Sequence, residues 1–334
     1  MLQSRSSGRK TQFVIVFVLV ISMAACGGGS NSSSTPTAPT SAAPATPATA
    51  TLTGQVVSLN GGAPIGGVAV DANGVAATSD SQGMFIVTIP TGVTAERFVL
   101  TAPQILSRTV FVARTTRPLR LDVIRTDDGG FDAEYFRQLV RNGFESTTGL
   151  QPLRRWTRSP SFYLKTVDEA GVPMDPQLVD MVEADIRLSV SLFTGGQFDV
   201  AALERGLETR ETTTGWITVK WLGAPEPGVC GRAHIGLERG GTIEFSYLHT
   251  SGCECDGSRI RHKTVRHEVG HAMGFWHVDN SQDVMSNRNF SCHTMPSSRE
   301  RFHAGIAYAR PVGNTDPDID PSTTVRAAPM LVAN

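Results

Sequence analysis

The sequence lacks an excess of charge of either sign. Its 334 residues include 30 Lys and Arg and 31 Asp and Glu, and no long run of one charge occurs. Nucleic-acid-binding domains usually carry a basic patch or stripe, so nothing here suggests a nucleic-acid partner. No acidic loop with the ligand spacing of an EF-hand is present, so a bound Ca²⁺ ion is possible but not readable from the sequence.

The sequence also lacks an apolar run long enough to span a bilayer. The longest run covers residues 13–25, and at about 1.5 Å per residue it falls short of a hydrocarbon core of roughly 30 Å. Basic residues precede this run, which indicates a signal peptide over residues 1–26. Its ending, "SMAAC", resembles a bacterial lipobox. That resemblance implies export and a lipid anchor at Cys26, on the outer membrane or cell surface; ordinary secretion is the alternative.

Residues 27–50 contain no charged, aromatic or large aliphatic side chain. Such a segment cannot form a hydrophobic core. Its many prolines predict an extended, disordered linker that holds the folded part of the chain away from its anchor.

Residues 51–125 predict a small all-β sandwich, because seven short runs rich in Val, Ile, Thr and Phe alternate with turn residues. The runs are LTGQVVSL, GVAVDA, VAATS, GMFIVTIP, RFVLTA, RTVFVA and LRLDVI. The segment resembles the carboxypeptidase-regulatory-like, prealbumin-type domains of secreted bacterial proteins at Gly54, Val56, Pro64, Gly67, Val68, Val70, Thr78, Asp80, Gly83 and Phe85. This resemblance implies a structural or spacing module.

Residues 126–312 predict an α+β domain, with a mixed sheet backed by helices. Asp175 before Pro176 is a strong helix start, and the pair Ser297 and Glu300 predicts a capping box. Predicted helices cover residues 131–144, 175–193, 297–309 and a segment beginning near 258; predicted strands cover 159–167, 215–223, 233–237 and 241–249. Residues 313–334 are expected to form a flexible tail.

The segment HEVGHAMGFWH, residues 267–277, has the spacing of a metal site. His267 and His271 are four residues apart, so on a helix both imidazoles project from one face. Gly274 can end the helix in a left-handed conformation, and the resulting turn returns His277 as a third ligand. Three protein ligands and one open position are typical of catalytic rather than structural zinc. Glu268 lies beside the open position.

This string resembles that of the metzincin metallopeptidases, and most closely that of the matrixins. Met285, in "DVMS", matches the methionine that these enzymes place in a turn below the metal; Met295 is the weaker candidate. The resemblance implies a Zn²⁺-dependent endopeptidase in which Glu268 is the general base for a zinc-activated water. Many matrixins block their zinc with a propeptide cysteine, but residues 27–229 contain no cysteine, which excludes that route.

Protein or peptide substrates are expected to bind antiparallel to an edge strand near AHIGL, residues 233–237. The substrate side chain after the scissile bond would enter a pocket between the helix that carries His267 and His271 and the segment after Met285. A surface-binding or adhesion lipoprotein with an inactive protease-like domain is the main alternative, and a hydrolase of non-peptide amides is another. We expect a monomer.

Four cysteines besides Cys26 are expected to form two disulfides in an exported chain. Cysteines two residues apart point away from each other in extended chain, which disfavours a Cys253–Cys255 pair. Cys292 is therefore expected to pair with one of these two, with Cys230 as the less favoured partner. A second metal site using the CEC segment and His249 is an alternative. The remaining histidines, His234, His262, His293 and His303, are expected to be ordinary polar residues.

Overall fold

The computed structural model describes residues 48–324 except 93–94, 114–117, 147, 224–227, 248–251 and 289–290. The signal peptide, the lipidation site Cys26, nearly all of the linker and His249 therefore lie outside the described residues. The described chain mixes several sheets with a few helices. None of the helices in the described ranges is long and apolar enough to cross a membrane.

Seven strands fill the first part of the described chain, in the order and nearly the positions that the sequence predicts. They are β1 (Thr49–Ser58), β2 (Ala69–Ala72), β3 (Val75–Thr78), β4 (Met84–Pro90), β5 (Ala95–Thr101), β6 (Arg108–Ala113) and β7 (Leu119–Val123). Burial alternates along β4, where Phe85, Val87 and Ile89 point inward. This is the period-two pattern of a strand with one buried face. β1 begins two residues before the predicted boundary at 51.

The seven strands form two sheets around one hydrophobic core. One sheet has the order β4-β1-β7, and the other has the order β3-β2-β5-β6. β1 runs antiparallel to β4 and parallel to β7, whereas the second sheet is antiparallel throughout. This arrangement is compatible with a β-sandwich, and its core residues form a cluster separate from that of the following residues.

The described residues of the second part of the chain form four α-helices, five strands and a short 3₁₀ helix, Leu237–Arg239. The α-helices and strands are α1 (Ala133–Arg141), β8 (Ser161–Lys165), α2 (Pro176–Phe193), β9 (Leu203–Gly206), β10 (Trp216–Leu222), β11 (Gly231–Ile235), β12 (Gly241–Ser246), α3 (His262–Ala272) and α4 (Ser298–Tyr308). α2 begins as predicted, because the Asp175 side chain accepts a hydrogen bond from the N–H of Gln177 and Pro176 occupies the first helical position. The predicted capping box of Ser297 and Glu300 is also present at the start of α4.

The five strands form one sheet with the order β11-β12-β10-β8-β9. All neighbours are parallel except β11, which lies antiparallel to β12 at one edge. α2 packs against α3, and its inward face is the predicted row Leu178, Val182, Ile186, Val190 and Phe193. The sheet therefore places an edge strand beside the helix that carries the histidines.

Residues 313–324 are not the flexible tail that their composition predicts. Asp318 and Asp320 are 1% and 2% exposed, and the chain here pairs with Thr109 in β6 through hydrogen bonds to the backbone of residues 318 and 320. The buried guanidinium of Arg108 donates to both carboxylates, and that of Arg310 donates to Asp318. Buried carboxylates are tolerated where cations and hydrogen bonds compensate their charge, and composition alone does not reveal such partners. Residues 325–334 lie outside the described residues.

Two smaller differences concern local structure. β9 was not predicted because its sequence, LERG, has no buried residue. The motif helix begins at His262 and not near 258, since Cys255 and Ser258 instead pair across a tight turn formed by Asp256 and Gly257, both with positive φ. Asp-Gly is a strong signal for this kind of turn, and it stops the helix from extending towards the amino terminus.

Candidate metal centre

α3 and the turn after it bring the three predicted histidines together. His267 and His271 lie on one face of α3, and the helix ends at Ala272. Gly274 follows with φ +104°, and a Cβ atom there would overlap the carbonyl oxygen of Arg154. Only glycine fits both the conformation and the space, and the turn it makes returns His277 to the helix.

The Nε2 atoms of the three histidines lie 3.1 Å from one another. Each Nδ1 faces an acceptor: the Val284 carbonyl for His267 at 2.7 Å, the Phe275 carbonyl for His271 at 2.8 Å, and Glu145 Oε1 for His277 at 2.5 Å. These acceptors favour the proton on each Nδ1, so three Nε2 lone pairs converge on one point.

The spacing of these lone pairs fits a bound metal ion. Tetrahedral coordination at a Zn–N distance of about 2.0–2.1 Å separates ligand atoms by about 3.3 Å, close to the 3.1 Å between the histidine nitrogens. Burial also lowers the pKa of His267 well below its ordinary value and that of His271 to about 4. Neutral imidazole is the form that binds a metal. Within the described residues, this is the one group of three or more His, Cys, Asp or Glu side chains close enough to share an ion.

Glu268 lies against the edge strand β11 and lines the same cleft as His267 and His277. A Cβ atom on Gly231 in β11 would lie 2.9 Å from the Glu268 Cγ, so any larger residue at position 231 would crowd the Glu268 side chain. The Glu268 side chain is buried, and burial raises its pKa to about 8, with Arg232 opposing the shift. A divalent cation at the histidines would lower this pKa and favour the carboxylate form.

Met285 lies directly beneath the histidine helix and is fully buried. A Cβ atom on Gly270 would overlap the Met285 sulfur, so the absence of a side chain at position 270 lets the methionine approach the helix backbone. Met295, the weaker candidate, is 43% exposed and therefore does not form this contact.

Glu300 supports the methionine turn, a role that the sequence does not reveal. Its Oε1 accepts from the N–H of Met285 at 2.8 Å, while its Oε2 accepts from the N–H of Ser297 in the capping box. Burial and the nearby Asp283 raise the pKa of Glu300 to about 7. Asp283 also accepts from the Tyr135 hydroxyl at 2.8 Å. The sequence predicts the contact of Glu300 with Ser297 in the capping box. The contact of Glu300 with the N–H of Met285 arises only in the folded chain.

Two clefts flank the histidines. The first, of about 240 Å³, lies beside Glu145, Arg154, Ile235, Trp276 and His277. The second, of about 260 Å³, lies between the motif helix, the start of β11 and the residues after Met285, and its lining includes Cys230, Thr264, Glu268, Ser286 and Asn287. The second cleft occupies the place expected for the substrate pocket.

The cysteines form the bonds Cys230–Cys253 and Cys255–Cys292. This is one of the two pairings left open once Cys253–Cys255 was disfavoured. Because both cysteines of the CEC segment are in disulfides, neither is available as the thiolate ligand of a second metal site. The Cys230–Cys253 bond links the residue before β11 to the CEC segment, and the Cys255–Cys292 bond links the loop after Met285 to the same segment.

The other described histidines lie outside the ligand set. His262 contacts Asp185 through Nδ1 at 2.6 Å, and His293 contacts Asp256 through Nε2 at 2.6 Å. His303 is buried between α1 and α4, and His234 is exposed on β11. These are the ordinary polar roles expected from the sequence.

Comparison with known proteins identifies no family for this chain. No family model matches it, and no curated protein does. A search of solved structures finds similarity to a type II cohesin–X-dockerin complex from Acetivibrio cellulolyticus, with 24% identity and a TM-score of 0.19. The match covers 26% of this chain and 65% of that one, so it spans less than two thirds of that chain. At so low a TM-score the likeness carries no argument about fold or function.

Proposed function

We propose that the protein is a zinc-dependent endopeptidase of the metzincin type, similar to the matrixins. The observation that carries the proposal is the convergence of three histidine Nε2 atoms, 3.1 Å apart, in a site that also contains the buried side chain of Glu268. Without a cation, three lone pairs at this spacing repel one another, and two clefts border the histidines. This combination is typical of catalytic zinc.

His267, His271 and His277 would hold the ion. When bound there, Zn²⁺ supplies Lewis acidity, which lowers the pKa of a water molecule towards about 7 and polarises the scissile carbonyl. Glu268 removes the proton from that water as the C–O bond forms and delivers it to the leaving amine as the C–N bond breaks.

β11 provides the surface on which a peptide would lie. It is an edge strand, and it runs from Gly231 beside the second cleft to Ile235 beside the first. A peptide added antiparallel to this edge would therefore run from the first cleft to the second. Residues after the scissile bond would enter the second cleft, whose Thr264, Ser286 and Asn287 give it a partly polar lining.

The remaining parts of the chain fit an exported enzyme. We propose that the predicted signal peptide leads to lipidation of Cys26, that the linker extends from the cell envelope, and that the prealbumin-type domain has a structural role. The two disulfides support export, since such bonds persist in oxidising compartments. We propose that the enzyme acts as a monomer.

The proposal is tested by measuring metal content and peptide cleavage together. We expect one zinc per purified chain, internal cuts in a mixed peptide library, loss of cutting with a zinc chelator, and recovery when zinc is restored. Bound zinc without any cleavage would favour the adhesion alternative. A chain that binds no transition metal would refute the proposal.

A further inference from the structure

His277 differs from the other two histidines in how it is supported. His267 and His271 are fixed by α3 itself, and their Nδ1 atoms face backbone carbonyls. His277 lies beyond the Gly274 turn, where no helix holds it. Its position must therefore be set by contacts from elsewhere in the fold.

Those contacts come from the end of α1 and the turn that follows it. The N–H of Trp276 donates to the Leu139 carbonyl at 2.8 Å, and the N–H of Asp279 donates to Gln138 Oε1 at 3.1 Å. Both sides of His277 are thus attached to α1. The third contact is to the imidazole, whose Nδ1 lies 2.5 Å from Glu145 Oε1, 132 residues away in sequence.

We propose that Glu145 is a positioning residue for the third metal ligand. This inference rests on the proposed zinc site and adds to it a carboxylate outside the histidine string. The Glu145 carboxylate accepts the Nδ1–H of His277, so that the Nε2 lone pair faces those of His267 and His271. A carboxylate partner of this kind fixes the tautomer and the ring orientation and increases the basicity of the ligand.

The partial exposure of the pair limits the size of the effect. The side chains of His277 and Glu145 are 23% and 41% exposed, so solvent screens part of the charge. The hydrogen bond nevertheless keeps its geometric role, because rotation of the imidazole would remove one of only three protein ligands. Glu145 also lines the first cleft, beside the histidines.

α1 is itself held in place by buried contacts. The Arg141 guanidinium at its carboxyl end donates to the Asn314 carbonyl at 2.7 Å and to the Asn314 side chain at 2.6 Å. The Asn142 residue that follows has positive φ and ends the helix. The turn carrying Glu145 therefore begins from a fixed point.

The test is the affinity of the purified protein for Zn²⁺, measured by competition with a chromogenic chelator. We expect Glu145→Ala to lower the affinity about 10- to 100-fold, the usual effect of removing such a partner. Glu145→Gln keeps an acceptor and loses the charge, so it should fall between Glu145→Ala and the wild type. Glu169→Ala, which removes an exposed carboxylate from another loop, is the matched control and should bind like the wild type.

A second readout needs no metal. In the metal-free protein, ¹⁵N NMR of the histidine rings should show His277 with its proton on Nδ1, and Glu145→Ala should shift it towards the other tautomer. Glu145 variants with wild-type affinity and an unchanged His277 tautomer would overturn the inference while leaving the zinc site intact. If the wild type bound no zinc, the proposed function would fail, and the tautomer would still decide whether Glu145 holds the ring.

Discussion

Asp318 is the residue through which the stability of the C-terminal segment can be tested most directly. Its carboxylate, 1% exposed, accepts from Arg108 Nη1 at 3.0 Å, from Arg310 Nε at 2.9 Å and Nη2 at 2.8 Å, and from Asn314 Nδ2 at 2.9 Å. Both arginines are completely buried. Asp318→Asn keeps the size of the side chain and removes the charge that faces two guanidinium groups.

Removing one partner from a buried ion pair destabilises a protein by about 3–5 kcal/mol, because the remaining charge loses its compensation. Asp122 and Asp320 remain near the arginines, so we expect a loss near the lower end, about 3 kcal/mol. At about 2 °C per kcal/mol for a folded unit of this size, the melting temperature should fall by about 6 °C.

Asp180→Asn, on α2, is the matched control at an exposed ion pair. Asp180 is 64% exposed and pairs with the 37% exposed Arg205 at 2.7 Å, and exposed pairs of this kind contribute at most about 1 kcal/mol. Thermal and urea unfolding followed by circular dichroism would compare the two variants. Equal, small losses in both would refute the conclusion that residues 313–324 are an integral part of the fold.

Three further changes test the site and its support. Glu268→Gln should retain bound zinc and lose at least about a hundredfold in peptide turnover, since the general base is gone; near-normal turnover would contradict the assignment. Gly270→Ala places a methyl group against the Met285 sulfur and should lower the free energy of unfolding by about 1–3 kcal/mol. Gly305→Ala, at an uncrowded helical position, is the control and should not destabilise the protein. Equal effects of the two variants in urea unfolding would disprove the close contact between position 270 and Met285. Burial lowers the pKa of His303 below its ordinary 6.5, so the unfolded chain binds the proton more readily, and the contribution of this group to stability is complete above about pH 6.5 and falls as the pH decreases. His303→Gln should therefore show a smaller loss of stability between pH 7.5 and pH 5 than the wild type, and identical pH dependence would show that His303 is not responsible.

Local patterns in the sequence predicted the local structure well. The strand runs of residues 51–125 alternate with turn residues, and the structure places seven strands there. Asp175 with Pro176, and Ser297 with Glu300, marked two helix starts because their capping hydrogen bonds join residues close in sequence. The convergence of the three histidines could likewise be predicted from their spacing, because a helix and one glycine turn suffice to bring them together.

Contacts between distant segments could not be predicted in this way. Nothing near Glu145 indicates that it reaches His277, and nothing near Glu300 beyond its capping role indicates that it holds Met285. The acidic, Pro- and Gly-containing segment after residue 312 has the composition of a flexible tail. Residues 313–324 are held in the fold because Arg108 and Arg310 provide buried cations, and these contacts arise only when the three segments are brought together.

The support of the third ligand follows the same principle. α3 carries two of the histidines, and backbone carbonyls of Val284 and Phe275 orient their rings. The third depends on α1, whose last residue, Arg141, is fixed by Asn314, and the Asn314 side chain donates to Asp318 and Asp320 in the buried network around Arg108. A chain of direct hydrogen bonds thus extends from β6, through the C-terminal segment, to the helix that positions His277. The proposed catalytic centre therefore depends on residues in β6, in α1 and in the C-terminal segment, although the motif that reveals it covers only residues 267–277.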